Sequence, residues 1–227
     1  DLLNHSPGVT SSHVNDGTGV AFFLGKGSDG GVKQGDEIFY NYGSTKGNET
    51  MMMAYGFCLF DNVHDSYGLE LTIRKPADDG SGAYTAQSLG TFRLLRQDHP
   101  GVIAGDVAQI PVDLWRAISD PQEYVRVKAS KATNGANSEE AQAALDIGIE
   151  DVELLLHTVE RRLSPFLLTR EDDVKMAQLS STKDNNVDMR DVFVARYRDG
   201  QRRVLESALH VLRSITDESE DADDNAT

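Results

Sequence analysis

The sequence predicts an α+β protein, with a small strand-rich part first and an all-α part after it. Three observations carry this. Short β-type runs, "GVAFFL", "DEIFYNY" and "GLELTIR", sit among Gly and Asn in residues 1–75. Beyond residue 90, apolar side chains recur at helical spacing instead. Between these regimes, "ADDGSGAYTAQSLG" has the composition of a linker or an exposed hairpin. The expected organisation is a β part over 1–75, a linker over 76–90, a helical domain over 91–216 and an acidic tail over 217–227. At 227 residues the chain is long enough to bury a proper core.

In "GLELTIR", Leu69, Leu71 and Ile73 alternate with polar residues, as a half-buried strand requires. "NETMMMAYGF" reads as a short helix, with Asn48 as its N-cap and Gly56 as its stop. The Met triplet within it suits core packing better than a soft binding surface. Pro111 opens a helix through "PVDLWRAIS", where its missing N–H is not needed. Ile149, Val152, Leu156, Val159 and Leu163 form one stripe. Val194, Tyr197, Val204, Ala208, Leu212 and Ile215 share another face, interrupted near Gly200, while Glu206 and His210 lie on its outer side.

Charge and cysteine usage narrow the function. The formal net charge is −15, and six carboxylates fall in the closing "DESEDADDNAT", a stretch with nothing to bury and therefore expected to be disordered. The remainder is still strongly acidic, which argues against a nucleic-acid partner and favours a basic protein substrate. A lone cysteine, Cys58, excludes an intrachain disulfide and a Cys-cluster zinc site. No apolar run approaches membrane-spanning length, so no membrane association is expected, and the compartment reads as cytoplasm or nucleus. His5, His13 and Asp16 have neither one-turn helical spacing nor that of a compact loop site, so no metal is expected. A Ser-His-Asp hydrolase is disfavoured because no Gly-x-Ser-x-Gly elbow is present.

Two stretches remain for chemistry. In "EIFYNYG", strand alternation puts Ile38, Tyr40 and Tyr42 on one face and Phe39 and Asn41 on the other, with Tyr42 last before the turn "GSTKG". A phenol there is placed to look into a pocket, although aromatic residues also favour strands for packing alone. The chain opens on "DLLNHS", which by itself reads as a turn.

Taken together, "DLLNHS", "GDEIFYNYG" and "AYGF" resemble the C-terminal half of a SET-domain methyltransferase of the Rubisco large-subunit lysine methyltransferase class. The thirteen-residue interval from Tyr42 to Tyr55, the following "DNVHDSYGLEL" and the helical "ARYRDGQRRVLESAL" agree with that class. The resemblance implies a partial SET β-fold with a pseudoknot segment, then a helical substrate-binding domain. It implies S-adenosylmethionine as cofactor, held by Asn4 and His5, and Tyr42 as the catalytic residue beside the transferred methyl. Tyr55 and Tyr40 are implied in substrate binding. The implied activity is protein-lysine N-methylation; a protein-histidine methyltransferase and a non-catalytic SET-like binding module are the alternatives.

The Asn-x-Glu usual in the family at the start of the helix after the catalytic strand is here Asn48-Glu49-Thr50, which loses that carboxylate. Because Asp1 falls inside the first motif, the family's upstream Gly-rich cofactor segment and first SET strands are expected to be missing. "GKGSDGG" lies after the Asn-His pair and reads as an insertion loop. Oligomeric state is not legible in these residues.

Overall fold

The computed structural model describes residues 3–6, 8–24, 33–77, 82–102, 109–134, 147–179 and 187–224. The chain divides into two units, Asp1–Lys46 and Gly47–Thr227. The division therefore falls just before the first helix, and not in the expected linker.

The first unit holds four short strands: β1 (Asn4–His5), β2 (Ser11–Asn15), β3 (Val20–Leu24) and β4 (Phe39–Tyr40). β2 and β3 form an antiparallel hairpin with Ser11 opposite Leu24 and Asn15 opposite Val20. Its turn is closed by Asp16, whose carboxylate accepts from the Thr18 N–H at 2.9 Å, the Thr18 hydroxyl at 2.7 Å and the Gly19 N–H at 3.2 Å. β1 and β4 pair in parallel, Asn4 with Phe39 and His5 with Tyr40.

The second unit begins with α1 (Asn48–Tyr55). A long antiparallel hairpin follows, β5 (Ser66–Pro76) with β6 (Tyr84–Leu95), and then come α2 (Val112–Ser119), α3 (Pro121–Asn134), α4 (Ile149–Leu167), α5 (Arg170–Ala177) and α6 (Met189–Asp224). Leu69, Leu89, Phe92 and Leu94 of the hairpin share one core with Leu114 and Trp115 of α2, Val152, Leu155, Val159 and Leu163 of α4, and Val204, Leu205, Ala208, Leu209 and Leu212 of α6. This corrects two expectations. Of the two readings of residues 77–90, the hairpin holds and the linker does not, because Tyr84 to Gly90 pair along β5. The helical part is not all-α, because an amphipathic two-stranded ribbon needs a partner for its apolar face and the helices supply it.

Further differences are local. Gly47, not Asn48, is the N-cap of α1, and Gly56 ends the helix in the left-handed region at φ 76°. Of the Met triplet, Met51 is buried and Met53 is 85% exposed, as a helix with one inner face requires. Pro111 is the cap of α2 rather than its first residue. Ile149 and Val194 lie on exposed positions, while Leu155, Val192 and Leu205 take inner ones. α6 runs unbroken past Gly200 and continues to Asp224, where a disordered tail was expected. Once a buried face has nucleated a helix, each added residue needs little further stabilisation.

The reason for Gly200 lies outside its own helix. Asp65, just before β5, is 1% exposed; it accepts the Asn48 N–H at 2.6 Å and the Asn48 side-chain amide at 3.0 Å. The other atoms of that amide group are used too: Asn48 Oδ1 accepts the Leu59 N–H at 2.8 Å, and Nδ2 also donates to the Leu59 carbonyl at 3.0 Å. A Cβ at Gly200 would stand 2.1 Å from Asp65 Oδ2, and one at Gly47 would stand 2.7 Å from the His64 carbonyl. Close approach of a carboxylate to helix backbone thus selects glycine here. Arg196, one turn earlier, donates to the carbonyls of Ala177 at 2.9 Å, Cys58 at 3.1 Å and Leu179 at 2.7 Å, tying α5 and the segment after α1 to α6.

Two outcomes follow for stability. Gly200→Ala should destabilise by about 3 kcal/mol, the upper end of overpacking costs, and urea unfolding would read it; a change within experimental error would contradict the contact. Burial pushes the Asp65 carboxyl up to about 6, against the Asn48 hydrogen bonds that favour its charged form. A carboxyl raised on folding binds its proton more tightly in the native state. Its contribution is therefore full below the ordinary value of 3.8 and is lost as pH rises through about 6. An unfolding series across that window should slope downward with pH, and Asp65→Asn should flatten it.

Candidate functional site

The first unit brings together three of the expected site residues at one point and a fourth beside them. Parallel pairing of β1 with β4 places His5 opposite Tyr40. The His5 ring lies 5.3 Å from the Tyr42 ring, and the Tyr42 ring lies 6.3 Å from that of Tyr40. Tyr42 is not the strand residue expected, because β4 ends at Tyr40 and Tyr42 stands in the bend that follows. His5 Nδ1 accepts the Tyr42 N–H at 3.0 Å, so the ring presents a lone pair at that nitrogen. The Tyr42 phenol donates to the Leu3 carbonyl. Asn4 is exposed, and its side-chain amide donates to Glu37 Oε1 at 2.5 Å.

The strand order explains why these contacts form. β1 and β4 are two residues each, too short to hold a register by ladder bonds alone. Side chains complete the attachment. Ser11 Oγ accepts the Asn41 N–H at 2.8 Å, and His13 Nδ1 lies 2.8 Å from the Tyr40 phenol oxygen. The turn after Tyr42 is closed by Asn41, which accepts the Gly43 N–H at 2.9 Å, and by Lys46, which donates to the Tyr42 carbonyl at 2.5 Å. Gly43 has φ 134°, and a Cβ there would lie 2.3 Å from Lys46 Nζ.

Tyr55 belongs to the second unit. It is the last residue of α1, 38% exposed, with its ring 6.3 Å from Phe57, which in turn stands 6.4 Å from Phe193 of α6. Sequence reasoning passed over Ser11 and weighed His13 only as a metal ligand. The available signal was their spacing: residues two apart on a strand share a face, and both are polar in "SSHVN". It also passed over Glu37, which has no signal beyond its neighbourhood.

Burial holds the His5 imidazole below its usual value, against a hydrogen bond with the Tyr40 backbone that favours the charged ring, and the Lys46 charge adds to the lowering. Protonation would also turn the Nδ1 acceptor into a donor facing the Tyr42 N–H. A base lowered on folding supports the native state above its ordinary 6.5 and loses that support as pH falls through the depressed value. An NMR titration should find His5 titrating below 6.5, with the Tyr42 amide resonance moving in step; an ordinary titration uncoupled from Tyr42 would refute this arrangement.

No protein-family model matches the chain. Over 96% of its length it is 26% identical to the ribosomal lysine N-methyltransferase set10 of Schizosaccharomyces pombe, of which it spans 38%. Its structure is similar to that of Rubisco LSMT bound to sinefungin and monomethyllysine, with TM-score 0.55, 18% identity, and coverage of 96% of this chain and 49% of that one. It is also similar to the SET domain of LSMT bound to lysine and AdoHcy, with TM-score 0.52, 19% identity, and coverage of 94% and 48%. The chain thus spans about half the length of the solved chains and less of the curated relative. Its α+β fold is similar to about half of each of these two LSMT structures.

Proposed function

We propose that this chain is part of an S-adenosylmethionine-dependent protein-lysine N-methyltransferase. The observation that carries the reading is the parallel β1–β4 pairing, which joins an Asn-His pair to a tyrosine-bearing strand and sets His5 against Tyr42. Similarity to a lysine methyltransferase along nearly the whole chain supports the same reading. An acidic chain, of formal charge −15, suits a basic protein substrate met in the cytoplasm or nucleus.

The residues present fit the cofactor as far as they reach. Asn4 offers an exposed amide, and the His5 backbone is fixed by its strand pairing, so both suit an uncharged adenosyl group. When bound, S-adenosylmethionine supplies an electrophilic methyl on sulfur. What remains for the protein is to present a neutral amine in line and to hold it there.

Tyr42 suits that task. Its proton is directed to the Leu3 carbonyl, so its oxygen acts toward an incoming amine as an acceptor. Accepting an amine N–H would turn the nitrogen lone pair toward the methyl. A lysine amine has an ordinary pKa of about 10.4 and must shed its proton first. The aromatic walls of Tyr40 and Tyr42 favour the neutral form by excluding water. For Tyr55, the last residue of α1, the part in substrate binding rests on the family resemblance alone.

Tyr42→Phe in the complete protein should slow methyl transfer about a hundredfold or more, the equivalent of about 2.7–4 kcal/mol for one well-placed polar contact. Cofactor binding should change little, since the ring remains. Asn4→Ala should do the reverse, weakening cofactor binding first. Single-turnover kinetics and calorimetry separate the two. Near-normal turnover by Tyr42→Phe would remove Tyr42 from the site and the reading with it.

A further inference from the structure

The methyl-transfer reading leaves the β2–β3 hairpin without a task. Its geometry gives it one. β2 reaches the tyrosine strand through two side chains of the same face, two residues apart. Ser11 takes the backbone N–H of Asn41 at 2.8 Å, and His13 lies 2.8 Å from the Tyr40 phenol oxygen. These are consecutive residues of the segment that ends in Tyr42. The His13 ring stands 6.2 Å from the Tyr40 ring, edge to face, so that four rings, His13, Tyr40, Tyr42 and His5, follow one another in a row.

The row explains why a side chain should matter here. β4 has only two residues, and its partner β1 has two, so ladder bonds fix little beyond His5 and Tyr40 themselves. Tyr40 is half-buried, and a tyrosine ring has two free torsions that ladder bonds do not constrain. His13, by contrast, sits inside a five-residue strand paired at every position, with Phe22 opposite. The better-held strand therefore anchors the poorly held one. According to the imidazole tautomer, either the phenol donates to Nδ1 or the ring N–H donates to the phenol oxygen; both hold Tyr40 at the same place.

We propose that His13 is a positioning residue of this site, holding the Tyr40 ring against Tyr42 through the His13–Tyr40 hydrogen bond. The proposal rests on the methyl-transfer reading for its effect on rate, but not for its effect on the rings. A surface histidine of purely structural use would contribute to stability alone.

Two measurements on the complete protein test it. In single-turnover methyl transfer, His13→Ala should lower the rate about tenfold, the size of one net hydrogen bond felt at the transition state, with cofactor affinity unchanged. His13→Gln, whose amide can still meet the phenol, should recover most of that loss. His13→Ala should add nothing in a Tyr40→Phe background, because both remove the same bond. Rates within twofold for His13→Ala, or full additivity with Tyr40→Phe, would overturn the proposal. In the second measurement, NMR on ring-labelled tyrosine should show Tyr40–Tyr42 ring contacts that weaken in His13→Ala and return in His13→Gln. If the wild-type protein transfers no methyl, the function reading fails and this second measurement decides alone: unchanged ring contacts in His13→Ala would refute the positioning role.

Discussion

The second unit is organised around one buried carboxylate. Asp65 accepts the first backbone N–H of α1, that of Asn48, together with the Asn48 side-chain amide, and it does so pressed against the backbone of α6 at Gly200. Gln201, the next residue of α6, donates to the Ser66 carbonyl at 3.0 Å, so the start of β5 is fixed from the same side. Three elements distant in sequence are thereby set at van der Waals distance by polar contacts, not only by apolar ones. Each partner is specified: Asn48 for its two-ended amide, Asp65 for its two acceptor oxygens, Gly200 for having no side chain. An uncompensated buried charge here would be costly, which is why every oxygen faces a donor or a close-packed backbone.

The first unit solves a different problem. Its tyrosine strand is too short to be stable as sheet, and the contacts that hold it come from side chains of neighbouring segments: Ser11, His13, His5 and Lys46. A site built this way has its residues placed by polar bonds of defined length instead of by a deep core. That suits chemistry in which alignment does most of the work, because hydrogen bonds fix direction as well as distance. It also means that few of these residues can be exchanged without moving another.

Much of this was legible in the sequence, and the reasons differ by residue. The stripes of α4 and α6 were readable because helical periodicity is local: Val152, Val159, Leu163, Val204, Ala208 and Leu212 are buried as their spacing demands. The association of the Asn-His pair with the tyrosine strand came from resemblance, and parallel pairing of β1 and β4 agrees with it. What could not be read was non-local. The stretch "ADDGSGAYTAQSLG" carries Gly and polar residues that look like a connector, and 91–95 falls within the expected helical domain, yet Leu89, Phe92 and Leu94 become core once β5 lies beside them. Gly200 read as a weakness in its helix because the carboxylate that requires it stands 135 residues earlier. His13 gave only a weak signal, since one polar residue on an exposed strand resembles any other until its partner is known.

The same packing that seats Asn48 also seats the lone thiol. Cys58 is 1% exposed, its sulfur lies 3.8 Å from the Asn48 carbonyl, and burial pushes its pKa up to about 12. Thiolate is the species that reacts with maleimides and haloacetamides, and almost none forms in such a setting at neutral pH. Cys58 of the folded chain should thus react only slowly with alkylating probes. A cysteine introduced on an exposed surface of this chain would be labelled in preference to Cys58, so fluorophores or spin labels could be attached without first replacing it.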